Sequence, residues 1–501
     1  MPIFRREFVA SHVLALLLFG VSYFSYVYFT SNLSNPNAIS RIALSLSLID
    51  RHRVDIDPFA DLTVDKATDG VHFYSDKAPG LSFLALPAAL TIRPLVDPVS
   101  SGPPWHDGLE PNLALLRVVF FCAALTSAFL TACSVVVFRK VVMQLTGNAS
   151  CATVLALIFG LATPIWFWGA TFFGHSAAAA LLLMGFYVLL TLERSMRAED
   201  PAIASSKRTV AALALLGGAA MSWAVLVEFT AAVPMAMTFA YFSWRYFRAQ
   251  SRRVGLVPAA MWIAAGGLPA LVLLLVYNTI AFGSPFHIGY ENVSGFEGMH
   301  QGFFGISLPR PRIMLELLMG DAHGILWLSP VLALSFIGLG MGLVSPETRG
   351  LSTFCGAIIV YYLALNSGYV YWGGGNSAGP RHITACLPFA CLLLTPVWEG
   401  LGRYGRTAIC AFGLLSFALC LAVVCVKVSP PTETTSALFG YILPRFWKGE
   451  FSATFPDAVL GLSGFAILIP YSIVCLLGLI GIILAFSAST RVQSANRTVG
   501  A

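Results

Sequence analysis

Residues 72–80, His-Phe-Tyr-Ser-Asp-Lys-Ala-Pro-Gly, set an acid and a base side by side and run straight into an apolar stretch, LSFLALPAAL. Pro79 suits the first turn of a helix, where a missing N–H costs nothing. Lys77 then stands beside the free N–H groups and positive dipole end of that helix, which together make a place for an anion. Taken alone, the same residues also make an ordinary helix start flanked by a solvated charge pair. Asp76 can take a proton from a hydroxyl that comes within hydrogen-bond reach, and so can Asp50, Asp55 and Asp57 further back. Seven aspartates fall between Asp50 and Asp76. Asp55-x-Asp57 offers the oxygen ligands that a divalent cation, Mg or Mn, would take. In so acidic a loop a three-residue pattern is weak, and no metal site is assigned. His175 opens an apolar segment after Phe-Phe-Gly, where histidines commonly cap or pack. Facing the first loop, it is also a candidate base or acceptor contact.

The elements that must position these groups belong to a membrane protein. The chain has 501 residues, 57% of them hydrophobic and only 11% charged, against roughly 25% charged in soluble domains. Its net charge of +6 is spread over short loops, without the basic, aromatic-laced stripe of a nucleic-acid binder. All ten cysteines lie in or at the ends of apolar segments and no CxxC occurs, which argues against a disulfide framework or a zinc site. The first apolar stretch is long enough to span and lacks a small-residue cleavage site.

A spanning helix needs about 20 apolar residues. On that basis, helices are predicted near 8–30, 112–138, 150–169, 174–192, 209–227, 229–246, 255–281, 322–344, 352–369, 383–400, 408–428 and 463–487. The fold class is thus an all-α polytopic membrane protein of about twelve transmembrane helices, a single integral domain over 1–501. Arg5 and Arg6, Arg139 and Lys140, Arg194 to Arg208, Arg245 to Arg253, Arg349, and Arg403 and Arg406 fall in alternate connections. The positive-inside rule then puts both termini in the cytoplasm. The opposite, outer side receives loops 31–111, 282–321, 370–382 and 429–462. In the first, residues 39–49 have helical apolar spacing and are expected along the membrane surface. The run 81–96, broken by Pro87, Arg93 and Pro94, is expected to dip in as a half-helix. A second surface helix is expected at 308–318.

A first helix followed by a large outward loop, the Tyr74-Ser75-Asp76-Lys77-Ala78-Pro79-Gly80 segment before a half-helix, and Arg117 and Pro164 at the outer ends of the next helices form a pattern. It resembles the GT-C class of membrane glycosyltransferases, in particular the protein O-mannosyltransferases and lipid A aminoarabinose transferases. The segment is similar to the Tyr-x-Glu-Lys-Pro-Pro of the latter. The resemblance covers roughly the first 250 residues well and the remainder in outline. It implies a polyprenyl-phosphate sugar donor used at the outer face and a glycan, lipid or protein acceptor opposite. It also implies that Lys77 contacts the lipid phosphate. Where the family has an acid just after the first helix, this chain has Asn35-Pro36-Asn37, and where a second acid often opens the fourth helix it has His175.

Such a transfer needs cations for the leaving phosphate and a base for the acceptor hydroxyl. Lys77, Arg41 and Arg381 are the candidate cations; Arg41 and Arg381 would otherwise be headgroup or snorkelling arginines. Asp76, Asp50 and His175 are the candidate catalytic groups. Asn37, His72, Tyr74, Glu228, Tyr290 and Trp372 complete the set as substrate contacts. Glu228 is the lone acid within 209–246, and an acid in so apolar a region is usually paired or functional. Competing functions are a transporter or flippase of lipid-linked glycans, a surface-polysaccharide polymerase or ligase, and a purely structural membrane protein. Transporters tend to show repeated halves and broken midplane helices, neither of which is evident here.

Overall fold

The computed structural model describes residues 2–96, 105–107, 109–197, 206–248, 255–375, 377–431, 434–452 and 455–499. Arg252 and Arg253, part of the charge bias above, and parts of the long loops lie outside the described residues. The chain is helical nearly throughout. It opens with α1 (Pro2–Tyr28), α2 (Pro36–Arg51), a short hairpin of β1 (Lys66–Thr68) and β2 (Phe73–Ser75), and α3 (Gly80–Val96). The helices α4 (Leu113–Ala123) and α5 (Phe129–Thr146) are one rod joined by a π-turn. Then come α6 (Ala149–Leu161), α7 (Ile165–Gly169), α8 (Gly174–Arg197), α9 (Lys207–Val227), α10 (Ala232–Arg248) and α11 (Leu256–Phe282). The second half holds α12 (Pro311–Met319), α13 (Ile325–Leu328), α14 (Ala333–Val344), α15 (Pro346–Gly368), α16 (Leu387–Leu392), α17 (Leu394–Gly400) and α18 (Gly402–Val426). Two short helices, α19 (Leu443–Lys448) and α20 (Phe455–Leu460), precede the long α21 (Leu468–Val499).

Among the described residues, nine helices are long and apolar enough to cross a membrane. The protein is a multi-pass membrane protein. Each of the twelve predicted spans falls on helical chain, though 150–169, 322–344 and 383–400 are each built of two or more shorter helices. Three are shorter than a full crossing: Ala149–Leu161, Pro330–Val344 and the 17-residue α10. The first and last long helices pack together, since Ser25 Oγ lies 3.2 Å from Tyr471 OH and Tyr28 OH donates to the Ile467 carbonyl at 2.7 Å. Helices α9 and α11 touch backbone to backbone. A Cβ on Gly218 would lie 1.9 Å from the Ile263 carbonyl oxygen, and one on Gly266 2.0 Å from that of Leu215, the close approach that small residues allow between membrane helices.

The expected surface helix at 39–49 forms as α2 but does not lie on a surface. Asn37 through Ser47 are all buried. Ser45 Oγ donates to the Ser82 carbonyl at 2.9 Å, and Ser82 Oγ returns a bond to the Arg41 carbonyl at 2.8 Å, stitching α2 to α3. Apolar spacing predicted the helix but could not show that α3 and the hairpin cover its polar side too. The expected half-helix is α3, and the helix at 308–318 appears as α12.

Candidate active site

Pro36 at N1 and the Asn35 side chain, which accepts from the Asn37 N–H at 3.0 Å, start α2. One turn on, Arg41 lies on the same face as Asn37 and is 1% exposed. Its Nε donates to Asn37 Oδ1 at 3.0 Å, Nη1 to the Ala78 carbonyl at 3.0 Å, and Nη2 to Glu228 Oε1 at 2.9 Å. One guanidinium thereby ties together α2, the 72–80 segment and the end of α9. Two glycines permit the approach. A Cβ on Gly80 would meet the Leu226–Val227 backbone at 2.5–2.6 Å, and one on Gly174 would sit 2.2 Å from Glu228 Oε1.

Lys77 follows from the hairpin. The register pairs Lys66 with Ser75, so the next residues outward, Asp65 and Asp76, converge. Lys77 Nζ donates to Asp76 Oδ2 at 2.9 Å and sits 3.2 Å from Asp65 Oδ2. Burial disfavours the ammonium, but the two carboxylates more than offset this and hold its pKa above the ordinary lysine value. Asp76, whose side chain is 1% exposed, has its pKa pushed up to about 6 by burial, against the pull of Lys77. Its second oxygen, Oδ1, is buried without a hydrogen-bond partner.

Arg381 and His175 complete the cluster. The Arg381 guanidinium lies 5.6 Å from the Phe173 ring centre, and its Nε is buried and unpartnered. Gly374, at φ +65, brings the glycine-rich loop so near that a Cβ would stand 3.1 Å from Arg381 Cγ. His175 Nδ1 is 3.6 Å from Glu228 Oε1, while its buried Nε2 has no partner. Its ring stands edge-on to His382 at 5.5 Å, and His382 in turn to Tyr369 at 5.6 Å. Tyr290 packs on Phe229 at 5.7 Å, within electrostatic reach of Glu228, Lys77 and Asp76.

Asp76, Lys77, Arg41, Asn37, His175, Glu228, Arg381 and Tyr290 are thus brought together. Four other candidates are not. Asp50 lies at the far end of α2, about 14 Å along the helix from Arg41, where it pairs with Arg93 at 3.1 Å. His72 binds Asp57 at 2.7 Å and Arg53 at 3.1 Å outside the cluster. Tyr74 alternates to the opposite strand face from Ser75 and donates to Asp69 at 3.1 Å. Trp372 stacks edge-on against His323 at 5.8 Å. Asp55, Asp57 and His72 do place one ligand atom each within 4.8 Å of one another. Asp55, however, already holds Arg51 at 2.8 Å and Arg53 at 2.5 Å, and Asp57 accepts from the Phe73 N–H at 2.7 Å. That donor set suits a neutralised structural knot better than a cation site.

Asp65 and His382 were missed from sequence. Asp65 carried a signal: Asp69-Gly70, with Gly70 at φ +94, is the turn of a hairpin whose pairing sets Asp65 across from Asp76. His382 had none beyond its place after Arg381.

The sequence matches no family model and no curated protein. Its structure is similar to the archaeal oligosaccharyltransferase AglB from Archaeoglobus fulgidus, solved with an inhibitory peptide and a dolichol-phosphate, at TM-score 0.54 and 13% identity over 84% of this chain. The chain has the GT-C glycosyltransferase fold. It spans 56% of the length of AglB. A second oligosaccharyltransferase structure from that organism, tethered to an acceptor peptide containing the NVT sequon, gives TM-score 0.52 at 13% identity, over 83% of this chain and 56% of that one. ArnT from Cupriavidus metallidurans bound to undecaprenyl phosphate gives 0.49 at 15% identity, over 95% of this chain and 76% of that one. Within the GT-C fold the charged cluster lies where α2, α3, α8 and the end of α9 meet.

Proposed function

We propose that this chain is a membrane glycosyltransferase. It moves a hexosyl or pentosyl group from a polyprenyl-phosphate-linked donor to a glycan, lipid or protein acceptor at the periplasmic face of a bacterial inner membrane. Both termini would then be cytoplasmic, and the 31–111 loop would carry the reacting groups. The GT-C fold supports this reading, as does the dolichol-phosphate in the AglB complex. The observation that carries it is the pairing, at one buried spot, of a cation next to a carboxylate whose second oxygen has no partner.

In this mechanism the acceptor O–H approaches the anomeric carbon while Asp76 Oδ1 takes its proton. The new C–O bond forms as the bond from the anomeric carbon to the phosphate oxygen breaks, and that electron pair leaves with the phosphate. Lys77 and Arg381 stabilise the developing charge. In a water-poor site, preorganised cations of this kind need no reorganisation at the moment of transfer. Arg41, with all three of its nitrogens engaged, positions the Glu228 side instead. Neutralising Lys77 should reveal this division. Lys77→Ala is expected to abolish release of polyprenyl phosphate from a lipid-linked sugar while the protein still inserts and purifies normally, with Lys77→Arg restoring part of the rate. Full turnover by Lys77→Ala would remove the phosphate assignment.

A further inference from the structure

At the opposite end of the molecule from this cluster, α10 and α15 enclose a cleft of about 620 Å³. Its walls are two facing helical stripes: Met237, Ala240, Tyr241, Trp244 and Arg248 on α10, at helical spacing, and Arg349, Thr353, Phe354 and Ala357 on α15. The stripes are bipartite. Away from the mouth they are mostly apolar and open at the side, over a buried floor of Tyr241 stacked on Phe354 at 4.6 Å. Towards the membrane face they end in two arginines. Arg248 lies over the Trp244 ring at 5.2 Å, and Arg349 is held at the mouth by its bonds to the Leu343 and Val344 carbonyls at 2.8 and 3.2 Å. Among the described residues no carboxylate lines the cleft. Among the described residues neither arginine forms an ion pair with an acid. A cleft that is apolar inside, cationic at its mouth and open between two membrane helices matches an anionic amphiphile rather than a free anion.

We propose that this cleft holds one anionic phospholipid of the surrounding bilayer, with its phosphate between Arg248 and Arg349 and an acyl chain along the Met237–Ala357 stripe. The full-length protein, purified in mild detergent, can be titrated with phosphatidylglycerol and with phosphatidylethanolamine and read by native mass spectrometry. One phosphatidylglycerol should remain bound per chain, and phosphatidylethanolamine should be retained far less. Since each basic side chain near an anionic lipid contributes a factor of about five, Arg248→Ala with Arg349→Ala should weaken retention about 30-fold. Ala357→Phe, which fills the apolar half and leaves both arginines, should also expel the lipid. Excess inorganic phosphate should leave it bound. Equal retention of the two lipids, retention unchanged in the double variant, or displacement by inorganic phosphate would overturn the proposal.

Discussion

Arg41 and Lys77 are two cations within one buried cluster, and they are used in different ways. Arg41 has three of its nitrogens committed, to Asn37, Ala78 and Glu228. Lys77 is held by Asp65 and Asp76, yet the groups around it are left incomplete: Asp76 Oδ1, Arg381 Nε and His175 Nε2 are all buried without partners. A buried polar atom without a partner costs free energy, and here a carboxylate oxygen, a guanidinium nitrogen and an imidazole nitrogen of that kind belong to one cluster. The Arg41 side of the cluster has the character of scaffold, whereas beside Lys77 the polar atoms Asp76 Oδ1 and Arg381 Nε keep their bonding capacity unused.

The sharpest test of that contrast is Asp76→Asn. If Asp76 is the base, turnover should fall by about 10²- to 10⁴-fold, with donor affinity changed much less; an equal loss of donor binding would make Asp76 a positioning group. With a pKa near 6 in the protein, Asp76 must be ionised to accept the proton. The wild-type rate should therefore fall as pH drops through about 6, and a pH–rate profile of a slow Asp76 variant should lack that limb. Arg41→Ala should act chiefly on stability. Removing one partner of a buried pair typically costs about 3–5 kcal/mol, seen as a lowered unfolding temperature. Replacing both partners, Arg41→Met with Glu228→Leu, should recover much of it. A double variant as unstable as the single one would show that Glu228 does more than balance Arg41. The smallest effect is expected at Asp50, where Asp50→Asn should leave turnover within about twofold, as exposed ion pairs contribute little.

Much of the fold was legible because spanning helices announce themselves by length and apolarity. The helix start at Pro79 was equally plain, while the start of α2 at Pro36 lay three residues before the apolar spacing that marks that helix. The cluster was legible only in part. Asp76 and Lys77 are neighbours in sequence, but Arg41 reaches Glu228 across 187 residues, a contact set by how α2, α3 and α9 stack. Asp50 and Asp57 are candidates as acids further back on the loop that carries Lys77. Their own arginine and histidine partners, Arg93 and His72, gave no sign of proximity in the chain. The departure at Asn37 also makes physical sense in the fold: its amide oxygen serves as an acceptor for Arg41, a task that asks for no charge.

Gly80 contributes no side chain, and that vacancy governs how near one helix start can come to another helix's end. Since Lys77 sits three residues before it and Glu228 one residue past Val227, the distance between opposite charges at the heart of the cluster is set by a missing methyl group. One added carbon there would push the Leu226–Val227 backbone, and Glu228 behind it, away from the start of α3.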